Sequence, residues 1–380
     1  MAARVAPGVV RRAAAGRRFK SDPMTAGAGG SVLLIGGYGV VGSWIARLLR
    51  ERHPELPLLL AGRSPEKGAT LAEELGTAGT VRVDAGAGNP LSALSKPPAL
   101  VLTAANDPED RVLLAAVRAG IPVVDITRWT ARVQRSVLRL SCEEIRAPVV
   151  LASSWMGGLA SITASAGAAR IAPVERIEID ICYAQADQSG SDSVAYVDRL
   201  AIPFETTQDG RERLSYPLTD GRVVRFPGGR KASTYRLDTP EQATLPCFLG
   251  ASTVATRIGY DSPAASWMLV ALKRSGILRV LQRDRFTPWR RALLHSSGDG
   301  DRATFVVSVE GKSGSVRVEV VDPKGQAHLT AVGAVVAAER ALGLDGGAPA
   351  AARAWFPEQF PDPEGALATA HTLGVEVVIQ

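Results

Sequence analysis

The residues best placed by type and spacing to do chemistry are three glycines near the start of the chain. Gly37, Gly39 and Gly42 stand as G-x-G-x-x-G within Gly36-Gly37-Tyr38-Gly39-Val40-Val41-Gly42. Such a loop works through its backbone. The first glycine permits a tight turn, the second lets the main chain touch a pyrophosphate, and the third lets the next helix pack closely. The free N–H groups of that helix then face the phosphate charge. The chemistry implied is the binding of a phosphorylated ligand, with Gly37, Tyr38, Gly39, Val40, Val41 and Gly42 as candidate residues. The setting strengthens a spacing that is weak alone. Val32 to Ile35 reads as a buried strand before the loop, and Trp44, Ile45, Leu48 and Leu49 give an apolar helix after it.

A second pair of residues bears on which ligand. The next apolar run, Leu56 to Ala61, is followed by Gly62-Arg63-Ser64-Pro65. An Asp or Glu about 20 residues after such glycines holds the ribose 2′-hydroxyl of NAD. No acid lies between Leu56 and Arg63. Arg63 and Ser64 instead offer a cation and a hydroxyl suited to a 2′-phosphate. The expected cofactor is therefore NADPH.

The elements that must position these residues alternate between strand and helix in the first half, which implies a parallel sheet covered on both faces. A helix is expected from Pro65 to about Leu75, then a short strand from Val81 to Val83 and another from Leu100 to Thr103. Asp107-Pro108 reads as an N-cap with proline at the first helical position, opening a helix that stops at Gly120. Strands at Pro122–Asp125 and Pro148–Leu151 flank a helix near Ala131–Leu140. From Glu175 to Ala184 apolar and polar residues alternate, as in a half-buried antiparallel strand. Further strands are expected at Thr304–Val309 and Ser315–Val321, with a helix between them and the first at Met268–Leu281. A helix at Leu329–Leu342, another opened by Asp362-Pro363, and a strand at Val375–Ile379 complete the chain.

Composition bounds the function classes. Arg4, Arg11, Arg12, Arg17, Arg18 and Lys20 all precede the first acid, Asp22, so they account for the formal charge of +6. The remainder is near neutral, which argues against a nucleic-acid partner. No apolar run approaches the roughly 20 residues that span a bilayer. Cys142, Cys182 and Cys247 form no metal or redox motif, and neither do His53, His295, His328 and His371. A cytoplasmic protein without metal is expected. The first 23 residues mimic a transit peptide, but an extended start with Met24 as the working initiator reads the same. Residues 1–30 are taken as a disordered basic extension.

GGYGVVG and LAGRSPEK, with Ala104–Pro108, Ala119–Thr127, Phe356-Pro357-Glu358-Gln359 and Asp362-Pro363-Glu364, resemble the saccharopine dehydrogenase and reductase superfamily over most of residues 31–380. The resemblance implies an α/β fold: a doubly wound Rossmann sheet from residues 31–153 and 327–380, with an inserted α+β substrate and dimerisation domain at 154–326. It also implies a homodimer, and Thr103, Ala104 and Asn106 as further cofactor-binding residues. The implied chemistry is hydride transfer from NADPH to a carbon–nitrogen double bond of a small-molecule or carrier-bound substrate, possible subclasses including the thiazolinyl imines of siderophore assembly. A trans-acting enoyl reductase on a polyketide carrier and a non-catalytic NADP-binding assembly subunit are the alternatives. One turn departs from the family: a G-F-D-P-G-L-like segment is here Ser154-Trp155-Met156-Gly157-Gly158-Leu159, which puts an amino-acid substrate in doubt.

No acid–base pair is written locally. Asp125, at a strand's C-terminal end, and His328, just before the returning helix, are the candidate proton donors. Thr127 accompanies Asp125, and Tyr183 reads better as a core aromatic. Arg128, Arg230, Lys231 and Arg236 read as solvated cations, with nothing marking them as a cluster.

Overall fold

The computed structural model describes residues 30–184, 199–200, 202–276, 286 and 302–380. The basic extension to residue 29 and the end of the helix expected at Met268–Leu281 lie outside the described residues. Among the described residues no helix is long and apolar enough to cross a membrane.

The first sheet is seven-stranded and parallel. Its strands are β1 (Val32–Ile35), β2 (Leu58–Gly62), β3 (Ala78–Arg82), β4 (Leu100–Thr103), β5 (Val123–Asp125), β6 (Val149–Leu151) and the late β15 (Ala354–Trp355), in spatial order β15-β6-β5-β4-β1-β2-β3. This is the doubly wound order, with its switch point between β1 and β4. Alternation along β1 divides the core. Val32 and Leu34 face Ile45, Leu48 and Leu49 of helix α1 (Val40–Arg52), while Leu33 and Ile35 face Val112, Leu113 and Val117 of α3 (Arg111–Ala119). Helices α2 (Ala69–Leu75) and α4 (Thr130–Leu140) complete this half.

Helix α5 (Leu159–Ile171) leads into the second sheet. It is buried on nearly every side, as its run of small and apolar residues dictates. The second sheet is also seven-stranded, in the order β10-β11-β12-β7-β13-β14-β16, from β7 (Val174–Tyr183), β10 (Arg222–Arg225), β11 (Lys231–Arg236), β12 (Thr253–Tyr260), β13 (Ala303–Gly311), β14 (Gly314–Asp322) and β16 (Glu376–Ile379). A hairpin of β8 (Phe204–Gln208) and β9 (Arg211–Ser215) stands apart, and helices α6 (Glu241–Leu249) and α7 (Pro263–Arg274) flank β12. Helix α8 (Gln326–Leu342) then returns and packs against α1 and the first sheet, before α9 (Pro363–Thr372).

Four expectations change. Strand β7 is not half-buried: it lies at the sheet centre, parallel to β12 and antiparallel to β13, so Ile177 to Cys182 are buried on both faces. The terminal strand β16 does not return to the first sheet but pairs antiparallel with β14 in the second. The third strand begins earlier, at Ala78. Helix α3 likewise starts at Arg111, not beside Pro108. Asp107 still caps it, its carboxylate accepting from the N–H groups of Arg111, Val112 and Leu113 at 2.9, 3.1 and 3.1 Å.

Candidate functional site

The C-terminal edge of the parallel sheet gathers the candidate residues. After β1 the chain turns at Gly36, whose φ of +80° few other residues adopt. The left-handed turn residue is thus Gly36, one place before the glycine expected to provide it. Gly37 is excluded from carrying a side chain for another reason: a Cβ there would lie 2.9 Å from the Leu34 carbonyl oxygen. At Gly42 a Cβ would run into the Gly36 backbone, so the third glycine does let helix and loop pack closely. Gly39 differs from both. A Cβ there would meet only the Gly36 oxygen, at 3.2 Å, and otherwise point into open space. Gly39 is the N-cap of α1, and no side chain caps that helix. The first-turn N–H groups of α1 are therefore left for a ligand. The arrangement fits the pyrophosphate of a dinucleotide.

The loop after β2 lies alongside. Arg63 is exposed, and among the described residues its guanidinium has no hydrogen-bond or ion-pair partner. Tyr38 reaches across from the glycine loop, and its hydroxyl accepts the Ser64 N–H at 3.0 Å. Thr103, at the end of β4, is buried, while Ala104 is half-buried and Asn106 exposed. Asn106 is held by the Arg132 guanidinium, which also donates to the Asp107 carbonyl.

The loops after β4 and β5 carry a different arrangement. Arg128, expected at a solvated face, is 1% exposed. Its guanidinium donates to Asp110, to Asp125 at 2.8 Å and to the Ser136 hydroxyl at 2.9 Å, with Asp107 at 3.6 Å. Asp125 is fully committed here: besides Arg128, it accepts from the Thr127 N–H and hydroxyl at 2.9 and 3.1 Å. Burial pushes the Asp125 carboxyl up, but Arg128 and the Thr127 N–H outweigh it and hold the group below the usual carboxylate range. Asp107 goes the other way, raised by burial despite the Leu113 N–H and Arg128. Arg236 is also buried, paired with Asp220 at 2.9 Å, whereas Arg230 and Lys231 are exposed as expected.

His328 lies in the first turn of α8, wholly enclosed at 0% exposure. Its Nδ1 is 2.6 Å from Asp322, and its ring meets Trp44 of α1 edge-on at 4.9 Å. It occupies the seam between α1 and α8 and presents no surface to the cleft. Tyr183, expected to be a core aromatic, is half-buried at the end of β7 and meets Tyr260 edge-on at 5.6 Å.

Sequence reasoning passed over the residues that join the two halves. The Thr130 hydroxyl donates to Asp238 at 2.5 Å, Arg199 pairs with the same carboxylate, and Arg132 and Arg199 lie over the Trp129 ring at 4.9 and 5.2 Å. The departing turn, Met156-Gly157-Gly158, has φ values of +56°, +62° and +100°. The Trp155 N–H donates to Glu241 at 3.4 Å. Glu241 is wholly buried, and desolvation, with the neighbouring Glu358 adding to it, pushes its carboxyl up to about 7. An acid in the first turn of a helix reads as an ordinary dipole partner, so nothing local signals this burial. Among the described residues no cluster of His, Cys, Asp and Glu could hold a metal ion.

No family model and no curated protein sequence matches this chain. Among solved structures it is similar to saccharopine dehydrogenase (L-Glu forming) from Saccharomyces cerevisiae, with a TM-score of 0.64, 13% identity, and coverage of 93% of this chain and 99% of that one. A myo-inositol dehydrogenase from Corynebacterium glutamicum aligns at a TM-score of 0.43 and 14% identity, over 92% of this chain and 98% of the other. The first likeness extends to both sheets: the chain has the fold of saccharopine dehydrogenase, a Rossmann-type domain carrying a second, mixed-sheet domain. Fold and geometry together define a two-domain protein whose parallel sheet presents a glycine loop and an uncapped helix N-terminus at its switch point.

Proposed function

We propose that this protein is an NADP(H)-dependent oxidoreductase that reduces a carbon–nitrogen double bond. The observation that carries the reading is the pairing of an open Gly39 cradle with the free, exposed Arg63 one loop away. A bound nicotinamide cofactor supplies a hydride equivalent. The chain's own residues hold its phosphates at the α1 N-terminus, place Arg63 and Ser64 for the 2′-phosphate, and bring Thr103, Ala104 and Asn106 beside the switch point. Catalysis of this kind rests mainly on positioning the reacting carbon and excluding water. The Trp129, Arg132, Arg199 and Asp238 cluster joins the two halves next to this edge, where Asp238 fixes one guanidinium and Asn106 the other.

An imine substrate is supported by the motif resemblance. The turn at Trp155-Met156 favours a bulky or apolar imine, the thiazolinyl class among them, over a substrate with several carboxylates. Asp125 is paired with Arg128 and His328 is enclosed, so the proton comes from water or from the substrate. The test is NADPH oxidation, followed at 340 nm, with cyclic imines of graded size and charge. Turnover that rises with apolar bulk supports the reading; NADPH binding without turnover of any imine overturns the reductase assignment.

A further inference from the structure

The glycines of Gly62-Arg63-Ser64-Pro65-Glu66-Lys67-Gly68 need an explanation. Neither has a positive φ, so turn conformation does not demand them. What fills the space is the Tyr38 ring. A Cβ at Gly62 would collide with the Tyr38 hydroxyl, and one at Gly68 would come within 2.8 Å of Tyr38 Cδ1. The ring thus lies across the base of the loop, between two residues that have vacated room for it. Its hydroxyl accepts the Ser64 N–H at 3.0 Å. Arg63 stands immediately before that hydrogen bond and makes none of its own among the described residues.

We propose that Tyr38 is a positioning residue for recognition of the cofactor's 2′-phosphate: it pins the Arg63–Ser64 loop to the glycine cradle so that the 2′-phosphate and pyrophosphate sites keep a fixed separation. The inference rests on the NADP(H) reading and deepens it. A long, exposed arginine loses rotamer freedom when it binds an anion. A loop that also moved would add to that cost, and tethering it lowers the cost of ordering. The tether comes from the same loop that holds the pyrophosphate, so the dinucleotide meets both sites in register. The chain needs no acid at the end of β2, because discrimination acts through a cation whose backbone is anchored from below.

The experiment compares NADP+ with NAD+, which differ only in the 2′-phosphate, by titration calorimetry on the full-length native protein, Tyr38→Phe, Tyr38→Ala and Gly62→Ala. Thermal unfolding of each variant confirms folding. Loss of one neutral hydrogen bond predicts that Tyr38→Phe lowers NADP+ affinity about three- to tenfold and NAD+ affinity by less. Tyr38→Ala and Gly62→Ala, which remove or displace the ring, give a larger loss in the same sense. Unchanged NADP+ affinity in folded Tyr38→Phe and Tyr38→Ala overturns the proposal. So does an equal fall for both nucleotides, which places Tyr38 in the pyrophosphate site alone. A native protein that binds both nucleotides equally, or neither, defeats the underlying NADP(H) reading and the proposal with it. That failure is distinct because it appears before any substitution.

Discussion

Two stretches of one sheet edge bring charged or polar residues to the ends of parallel strands, and they differ in what those residues face. After β1 and β2, the backbone of Gly39 is open, the α1 N-terminus has no side-chain cap, and Arg63 stands free in solvent among the described residues. After β4 and β5, Asp107, Asp110, Asp125 and Arg128 satisfy one another and are buried. The first stretch leaves its polar groups open to solvent. The second is ion-paired within the protein, with Nε of Arg128 its one guanidinium nitrogen left without a hydrogen-bond partner among the described residues. Both occupy the edge where α/β sheets bind ligands, so position does not separate them. What separates them is whether each polar group already has a partner.

The strongest test of this contrast removes the centre of the closed stretch. Arg128→Ala leaves three buried carboxylates without their common cation, and a broken buried ion pair costs about 3–5 kcal/mol. A large fall in the denaturation midpoint is expected, and a near-native midpoint would mean that the network is not closed. Arg63→Ala should leave the same midpoint nearly unchanged.

Next is the pH dependence of the junction between the halves. The Glu241 carboxyl, pushed up to about 7 from 4.5, binds a proton on folding between those values. Its contribution to stability is therefore full below about 4.5 and is lost as pH rises through about 7. At about 1.4 kcal/mol per pKa unit this is on the order of 3 kcal/mol. Glu241→Gln should raise the melting temperature at pH 8 relative to pH 5, compared with the native protein. An unchanged profile would place the proton elsewhere, with Glu358 the first alternative.

In the open stretch, Gly39→Val should lower NADPH affinity at least about a hundredfold, or about 2.7 kcal/mol, while the protein stays folded. The fold has little against a side chain at that position, so the loss would fall on the ligand. Native-like affinity would mean that the phosphates lie elsewhere.

The smallest effect concerns His328. His328→Asn gives up the bond to Asp322 inside the α1–α8 seam, and stability should fall by about 1–2 kcal/mol. NADPH affinity should stay within about threefold, as for any residue outside the cleft. A selective loss of kcat with stability intact would restore His328 as a proton donor.

The contrast also explains what the amino-acid order could reveal. Strands β1 and β4 were legible to the residue, because a short apolar run ended by glycine or a polar turn has few other readings. The glycine turn into α1 was legible because its shape lies in backbone, which spacing encodes. Arg128 was not: an arginine beside Thr127 and Trp129 looks solvated until the β4–α3 loop and β5 bring three aspartates around it. Strand β16 was misassigned because an alternating strand has no address, and its partner β14 is fixed only by the packed second domain. Gly36 and Gly37 exchanged roles because adjacent glycines are indistinguishable by composition. His328 was expected just before the returning helix; it lies within the first turn of α8, and its enclosure depends on how α8 crosses α1.

The most direct measurement of the central claim is the affinity of the native protein for NADPH and NADH, determined side by side by calorimetry and repeated with Arg63→Ala. A charge-assisted contact contributes about 1.5–3 kcal/mol, so native protein should favour NADPH by roughly ten- to a hundredfold, and Arg63→Ala should remove most of that preference while keeping NADH affinity. Equal affinity for both nucleotides in the native protein, or a preference that survives in Arg63→Ala, would contradict the account.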